Sequence, residues 1–306
     1  MPDKIQERLL AEIADLHGVP AGAYNIRANG ESVGRSSTEN IEIVSKDGNS
    51  GIDIHIRPNT KNESVHIPVV LSQSGYTETV CNDFYIGDGA DVVIVAGCGI
   101  HNSGSGDASH DGLHRFFIGK NAHIKYVEKH YGEGDGNGKR IFNPKTEITM
   151  EENSFLEMEM VQIKGVDSTE RSTTATLANG AKMVVRERLM THGDQIALSD
   201  YTVELNGIAS GADVVSRSVA KDNSVQKFHS KIIGNTVCTG HTECDAIIMG
   251  GATVLAVPQL EAIHVDAALV HEAAIGKIAG EQLLKLMTLG LTEQEAEEQI
   301  INGFLK

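Results

Sequence analysis

From about Asn25 to about Ala262 the chain alternates apolar and polar residues in short runs. The runs "NIEIVS", "GIDIHIRP" and "HIPVVLS" do so, and "SFLEMEMVQI" does so most clearly. In that run Leu156, Met158 and Met160 share one face while Glu157 and Glu159 share the other. A period of two marks strands with one buried face. Turn-prone residues punctuate the runs, among them Asn153, Gly165, Asn179-Gly180, Gly193, Asn206-Gly207, Gly234-Asn235 and Gly250-Gly251. Their spacing varies and gives no strict repeat.

The period changes at both ends. Near the start, Ile5, Leu9, Leu10, Ile13 and Leu16 stand at helical spacing, and Gly18 and Pro20 close the segment. Near the end, "GEQLLKLMTLG" and "TEQEAEEQIINGFL" predict a helical hairpin. Gly290 is placed as the glycine that ends the first helix, and Thr292 with Glu295 forms a capping box that opens the second. Three regions follow: a helical segment over 1–24, an all-β core over 25–262, and a helical region over 263–306. The core is a sandwich or a β-solenoid. The absence of Trp and an aromatic content of only 4% favour thin rungs filled by Val, Ile, Met and Ala. The hairpin reads either as a cap over the solenoid's open end or as a docking surface for a partner.

At 306 residues the chain buries a full-sized core without metal or disulfide. A formal charge of −16 with no basic cluster argues against nucleic acid and anionic membrane as partners. No apolar run approaches the roughly 18 residues of a spanning helix. The four cysteines, Cys81, Cys98, Cys238 and Cys244, are irregularly spaced and lack a C-x-x-C pair. That pattern suits a reducing compartment, and a cytoplasmic location is expected.

Several signatures fail on single residues. "HEAAI" at 271–275 has Ile275 where a zincin needs its second histidine. "GEGDGNGKR" at 132–140 has Glu133 and Arg140 where a phosphate-binding loop needs Gly and Ser/Thr. "GCGIHN" at 97–102 has Asn102 in the third glycine position of a dinucleotide fingerprint. There is no G-x-S-x-G elbow.

Two constellations remain. The first is "CGIHNSGSGDASHDGLH", in which Cys98, His101, His110 and His114 offer the donors of a zinc or iron site and so suggest a metal-dependent enzyme. Its bland alternative is a flexible polar loop with solvated histidines. The second is "GHTECDAIIM" with "LVHEAAIGKI". On a strand, Cys244 faces with Thr242 and Ala246 while Glu243 and Asp245 point the other way. Cys244 therefore needs help from elsewhere, and His271 and Glu272 are the nearest unusual polar pair. A lone Cys entering an apolar strand is otherwise a small packed hydrophobe.

The segment from Ala220 to Phe304, with "GHTECDAIIM", "VHEAAIGKI" and the terminal hairpin, closely resembles the carboxyl-terminal region of the SufB/SufD family of iron–sulfur cluster assembly scaffolds. The likeness extends more loosely back to "NIRANG". It implies a parallel β-helix followed by a helical end, pairing through the β-helices, and docking of an ABC-type ATPase, SufC, on the terminal helices. It also implies a transient iron–sulfur cluster, a sulfur donor protein and apo recipients of the product, with ATP hydrolysis left to the partner. The B-type cysteine matches Cys244, the B-type glutamate matches Glu272, and the D-type histidine matches His271. One chain thus carries both sides' residues, and a homodimer is expected. Against the family, the longer amino-terminal helical portion is expected to be shortened here to little beyond the first helix, and the amino-terminal cysteine motif is not found in this sequence.

Overall fold

The computed structural model describes residues 3–47 and 50–306. Helix α1 (Lys4–Ala14) is followed by β1 (Ala23–Ala28), β2 (Glu31–Ser36), β3 (Ile41–Ser45) and β4 (Gly51–Ile56). Next come β5 (Lys61–Leu71), β6 (Thr77–Ile86), β7 (Asp91–His101), β8 (Ala108–Ile118) and β9 (His123–Glu133). Two shorter strands, β10 (Arg140–Phe142) and β11 (Lys145–Met150), share one rung position, interrupted at Pro144, whose ring leaves no N–H for the ladder. The run continues with β12 (Phe155–Lys164), β13 (Ser168–Leu177), β14 (Lys182–Thr191), β15 (Ile196–Leu205) and β16 (Gly211–Ala220). It ends with β17 (Val225–Gly234), β18 (Thr239–Ile248), β19 (Thr253–Ala262), β20 (Ala268–Gly276), α2 (Gly280–Thr288) and α3 (Glu293–Phe304).

Strands alternate between two ten-stranded sheets, one ordered β2-β1-β5-β7-β9-β12-β14-β16-β18-β20 and the other ending β15-β17-β19. From β5 onward the strands pair in parallel, so the body is a β-solenoid of about eight turns. Of the two architectures that the alternation allows, the solenoid is the one formed. Each turn stacks on the previous one at a drifting interval. Arg115 reaches Asp83, 32 residues back, whereas Ile208 N–H reaches Asn179, 29 back. That drift hides the repeat from the sequence. Corners are made by residues in the left-handed region, such as Asn121, Asn153 and Gly180. At Gly180 (φ +67°) an added Cβ would also meet the Asn153 side chain at 2.2 Å.

Beside a smaller apolar cluster around Leu71, Ile100 and Phe142, the two sheets close on one long apolar core. Leu156, Met158 and Met160 point into it as the alternation requires, and Phe84 stacks on Phe116 at 4.3 Å. Helix α1 lies on the outside of the first sheet. Its Leu9, Leu10 and Ile13 are buried there, and the bare backbones of Gly97 and Gly99 in β7 admit it.

The terminal helices depart from one expectation. They do not close the open end. Helix α3 instead lies along the outer wall, where Ile301 and Leu305 pack on Val219 of β16 beside Met190 and Ile247. Helix α2 buries no residue, and Leu284 and Leu289 are 62% and 76% exposed. The end rung, β19 and β20, has no strand beyond it in either sheet. Its Leu255, Val257, Val270 and Ile275 are exposed. Strand β20 also lies inside the region expected to be helical from 263, so helix begins only at Gly280. Among the described residues no helix is long and apolar enough to cross a membrane.

Candidate functional site

Cys244 sits on β18 one strand from the open end, with Ser216 beside it on β16 and Ala273 beside it on β20. Its side chain points inward with Thr242 and Ala246, and it is 1% exposed. Burial pushes its thiol up to about 12, and the carboxylates of Glu187 and Asp245 add to the rise. His271 on β20 is level with Thr242 and points the same way, its Nδ1 buried without a hydrogen-bond partner. Glu272, the next residue, points outward and is level with Glu243. The strand pleat therefore splits the three residues suggested by resemblance: Cys244 and His271 share the interior, and Glu272 stands outside the same wall.

The outer side of that wall holds its own cluster. His241 Nδ1 lies 2.7 Å from Asp213, and His241 Nε2 lies 3.8 Å from Glu272. One ligand atom from each of His241, Glu243 and Glu272 falls within 4.8 Å of the others. Burial, together with the hydrogen bond and charge of Asp245, raises the Glu243 carboxyl above its ordinary value.

The histidine-rich stretch is not a flexible loop. It forms β7 and β8, and Cys98, His110 and His114 point into the solenoid, all buried. His101 points out to Glu133, so the four expected metal donors are not gathered around one point. His114 already uses both ring nitrogens. Nδ1 meets Tyr126 Oη at 2.9 Å, whose hydroxyl donates to Glu128 at 2.6 Å, and Nε2 meets Asn82 at 3.3 Å. Burial, then the neighbouring His114 and His130, depresses His110 to about 3. Its Nδ1 and Glu78 Oε2 face each other at 3.9 Å, and neither has a hydrogen-bond partner.

These residues belong to a polar thread that runs inside the wall toward Cys244. Arg27 binds Glu78; Glu128 accepts from Arg171 at 2.7 Å; Arg171 Nε lies 3.7 Å from Glu187. Glu187 in turn accepts from Ser199, Tyr201 and Ser216, the last being the rung neighbour of Cys244. The Arg171 guanidinium holds Glu128 well below the usual carboxylate range against the opposing effect of burial. Reading the sequence missed Glu128, Arg171 and Glu187. The available signal was parity, since each charged residue occupies an inward position of an alternating strand.

A protonated, buried thiol should be a poor nucleophile. With iodoacetamide at pH 8, Cys244 is expected to react more than about tenfold slower than Cys81, since the thiolate is the attacking species. Cys81 is half-buried on the outer face, with Arg115 Nη2 at 3.5 Å and Lys46 Nζ at 3.7 Å from its sulfur. Peptide mapping of the alkylated cysteines decides this, and equal rates would contradict the buried placement of Cys244.

Comparison with known proteins gives the family. The family model described as "SUF system FeS cluster assembly, SufBD core domain" matches residues 80–304. An iron–sulfur cluster assembly SufBD family protein of Pyrococcus horikoshii is 30% identical over 284 residues, covering 89% of this chain and 83% of the relative. One from Archaeoglobus fulgidus is 28% identical over 221 residues, covering 72% and 58%. One from Methanothermobacter thermautotrophicus is 29% identical over 232 residues, covering 74% and 55%. The chain thus spans little more than half the length of the last two. A matched family core that includes the Cys244 strand, on a parallel β-solenoid, makes this chain a member of the SufBD family of iron–sulfur cluster assembly proteins.

Proposed function

We propose that the chain is a non-enzymatic scaffold on which a nascent iron–sulfur cluster is built with the help of an ABC-type ATPase of the SufC kind. The observation that carries this reading is the place of Cys244: a single thiol on the penultimate strand of its sheet, at the end of a buried polar thread, with His271 on the last strand. Two copies meet through their end rungs. The unpaired edges of β19 and β20 and their exposed apolar side chains support that pairing.

The chemistry follows from the donors. The Cys244 thiolate attacks the outer sulfur of a donor protein's persulfide, keeps that sulfur, and releases the donor cysteine as a thiolate. A two-electron reductant, supplied from outside the chain, then releases the held sulfur as sulfide for the cluster. The freed Cys244 thiolate ligates iron, with imidazole and carboxylate completing a set weak enough to give up the cluster to an apo recipient. Because Cys244 is buried and protonated at rest, the end rung has to open. The ATPase docks on α2 and α3 and supplies that opening. Helix α3 is well placed to transmit it, since the apolar patch it covers includes Ile247 of the Cys244 strand. The work takes place in the cytoplasm, where thiols stay reduced.

Anaerobic reconstitution with ferrous iron and sulfide, the ATPase present, tests the scaffold. Wild type is expected to develop the visible absorption of a cluster, Cys244→Ser to lose it, and Glu272→Ala to form a cluster of lower yield or shorter life. A Cys244→Ser protein that reconstitutes like wild type would refute the assignment. Light scattering of the ATPase complex checks the pairing, which fails if only one copy of this chain is present.

A further inference from the structure

His241, Glu243, Asp213 and Glu272 take no part in burying the core, yet three neighbouring strands bring them together on one outer patch. Glu243 and Glu272 are level with each other on adjacent strands, an arrangement in which two like charges repel. Arg217, 3.8 Å from Glu243, is the only basic side chain paired with Glu243 among the described residues, and Glu272 is paired only with the His241 ring. The ring is held from behind. Its Nδ1 donates to the Asp213 carboxylate at 2.7 Å, which leaves Nε2 with a free lone pair on the side of Glu272. A carboxylate that fixes the tautomer and direction of a histidine is the usual support of a metal ligand.

We infer that His241, Glu243 and Glu272 bind a divalent first-row transition metal on the outside of the wall, with Asp213 positioning the imidazole. The donor atoms already lie within 4.8 Å of one another. Bonds of about 2.0–2.2 Å to nitrogen and carboxylate oxygen would draw them in by roughly an ångström more. Glu272, 67% exposed, has the freedom to close that gap. One imidazole and two carboxylates favour ferrous iron, manganese or zinc over calcium, which takes oxygen ligands alone. Three protein donors leave positions open for water, so the ion is exchangeable.

Cys244 cannot join this set without rearrangement, because it lies between Glu243 and Asp245 in sequence and points to the opposite face. Iron would then be held on one side of the sheet and sulfur on the other, in the last rungs before the open end. The choice of iron as the working ion rests on the scaffold reading; the site itself does not.

The test is anaerobic titration of the metal-free full-length chain with Co²⁺, followed by visible absorption and equilibrium dialysis. Wild type and Cys244→Ser are expected to bind one Co²⁺ per chain with affinities within twofold, and without an intense thiolate-to-metal band. His241→Ala and Glu243→Gln should each weaken binding by tenfold or more, and Asp213→Asn by about tenfold through the lost orientation of the ring. Circular dichroism should show all four variants folded, since His241, Glu243 and Asp213 are on the outer face and Cys244→Ser is nearly isosteric. The inference is overturned if wild type binds no stoichiometric Co²⁺, if His241→Ala keeps it, or if Cys244→Ser abolishes it. Cluster formation by Cys244→Ser would defeat the scaffold reading while leaving this titration unchanged, so the two failures are distinguishable.

Discussion

Replacing Arg171 by methionine is expected to destabilise the solenoid by about 3–5 kcal/mol, because Glu128 and Glu187 would be left charged in the interior without their cation. The three groups are buried together, and among the described residues Arg171 is the only basic side chain that bridges the two carboxylates. Taking ions out of water is itself unfavourable, so the assembly is not a net source of stability. Removing one member is the damaging step. The combined replacement Glu128→Gln, Arg171→Met, Glu187→Gln should therefore recover most of the loss, a non-additivity expected of residues that share one network. Urea denaturation of wild type, Arg171→Met and the triple variant measures it. A loss below about 1 kcal/mol for Arg171→Met, the range of exposed pairs, would mean that water reaches the thread.

Acid should unfold the protein from the inside of its first turns. His110 has a depressed value of about 3 in the folded chain against an ordinary 6.5. Between those limits the unfolded state binds a proton that the folded state does not, so stability falls as pH falls from 6.5, at about 1.4 kcal/mol per unit. At pH 5 this amounts to roughly 2 kcal/mol from His110. His114, also depressed by burial, adds to it in the same direction. The groups facing His110 are Glu78, Arg27, His114, Glu128 and His130. His110→Gln should flatten the difference in melting temperature between pH 7 and pH 5. Comparison with wild type removes the general effect of lowering a large negative charge. Equal slopes in the two proteins would show that the ring takes up its proton without opening the structure.

The alternating strands were legible because polar side chains facing water interrupt apolar ones at every second residue, as in residues 155–163. The stacking interval was not, because turns of 29, 32, 27 and again 29 residues leave no fixed period to find. Strand β20 was read as part of a helical end for a physical reason. "ALVHEAAIG" is rich in Ala, Leu and Glu, good helix formers, and only pairing with β18 along its length overrides that preference. The pleat at Cys244 was predicted correctly from parity alone. The upward shift of its thiol comes first from burial, and Glu187, a residue distant in sequence, contributes before Asp245. Linear distance also misleads at 271–272, where adjacent residues belong to opposite faces of one wall.

The two ends of the solenoid are finished differently. At the start, β2 runs antiparallel to β1 and β3 antiparallel to β4, so the first rungs present reversed strands to any newcomer. At the finish, β19 and β20 offer parallel edges with nothing beyond them. Joining tail to tail about a twofold axis would cover both parallel edges and close the assembly, leaving the antiparallel edges of β2 and β3 outermost.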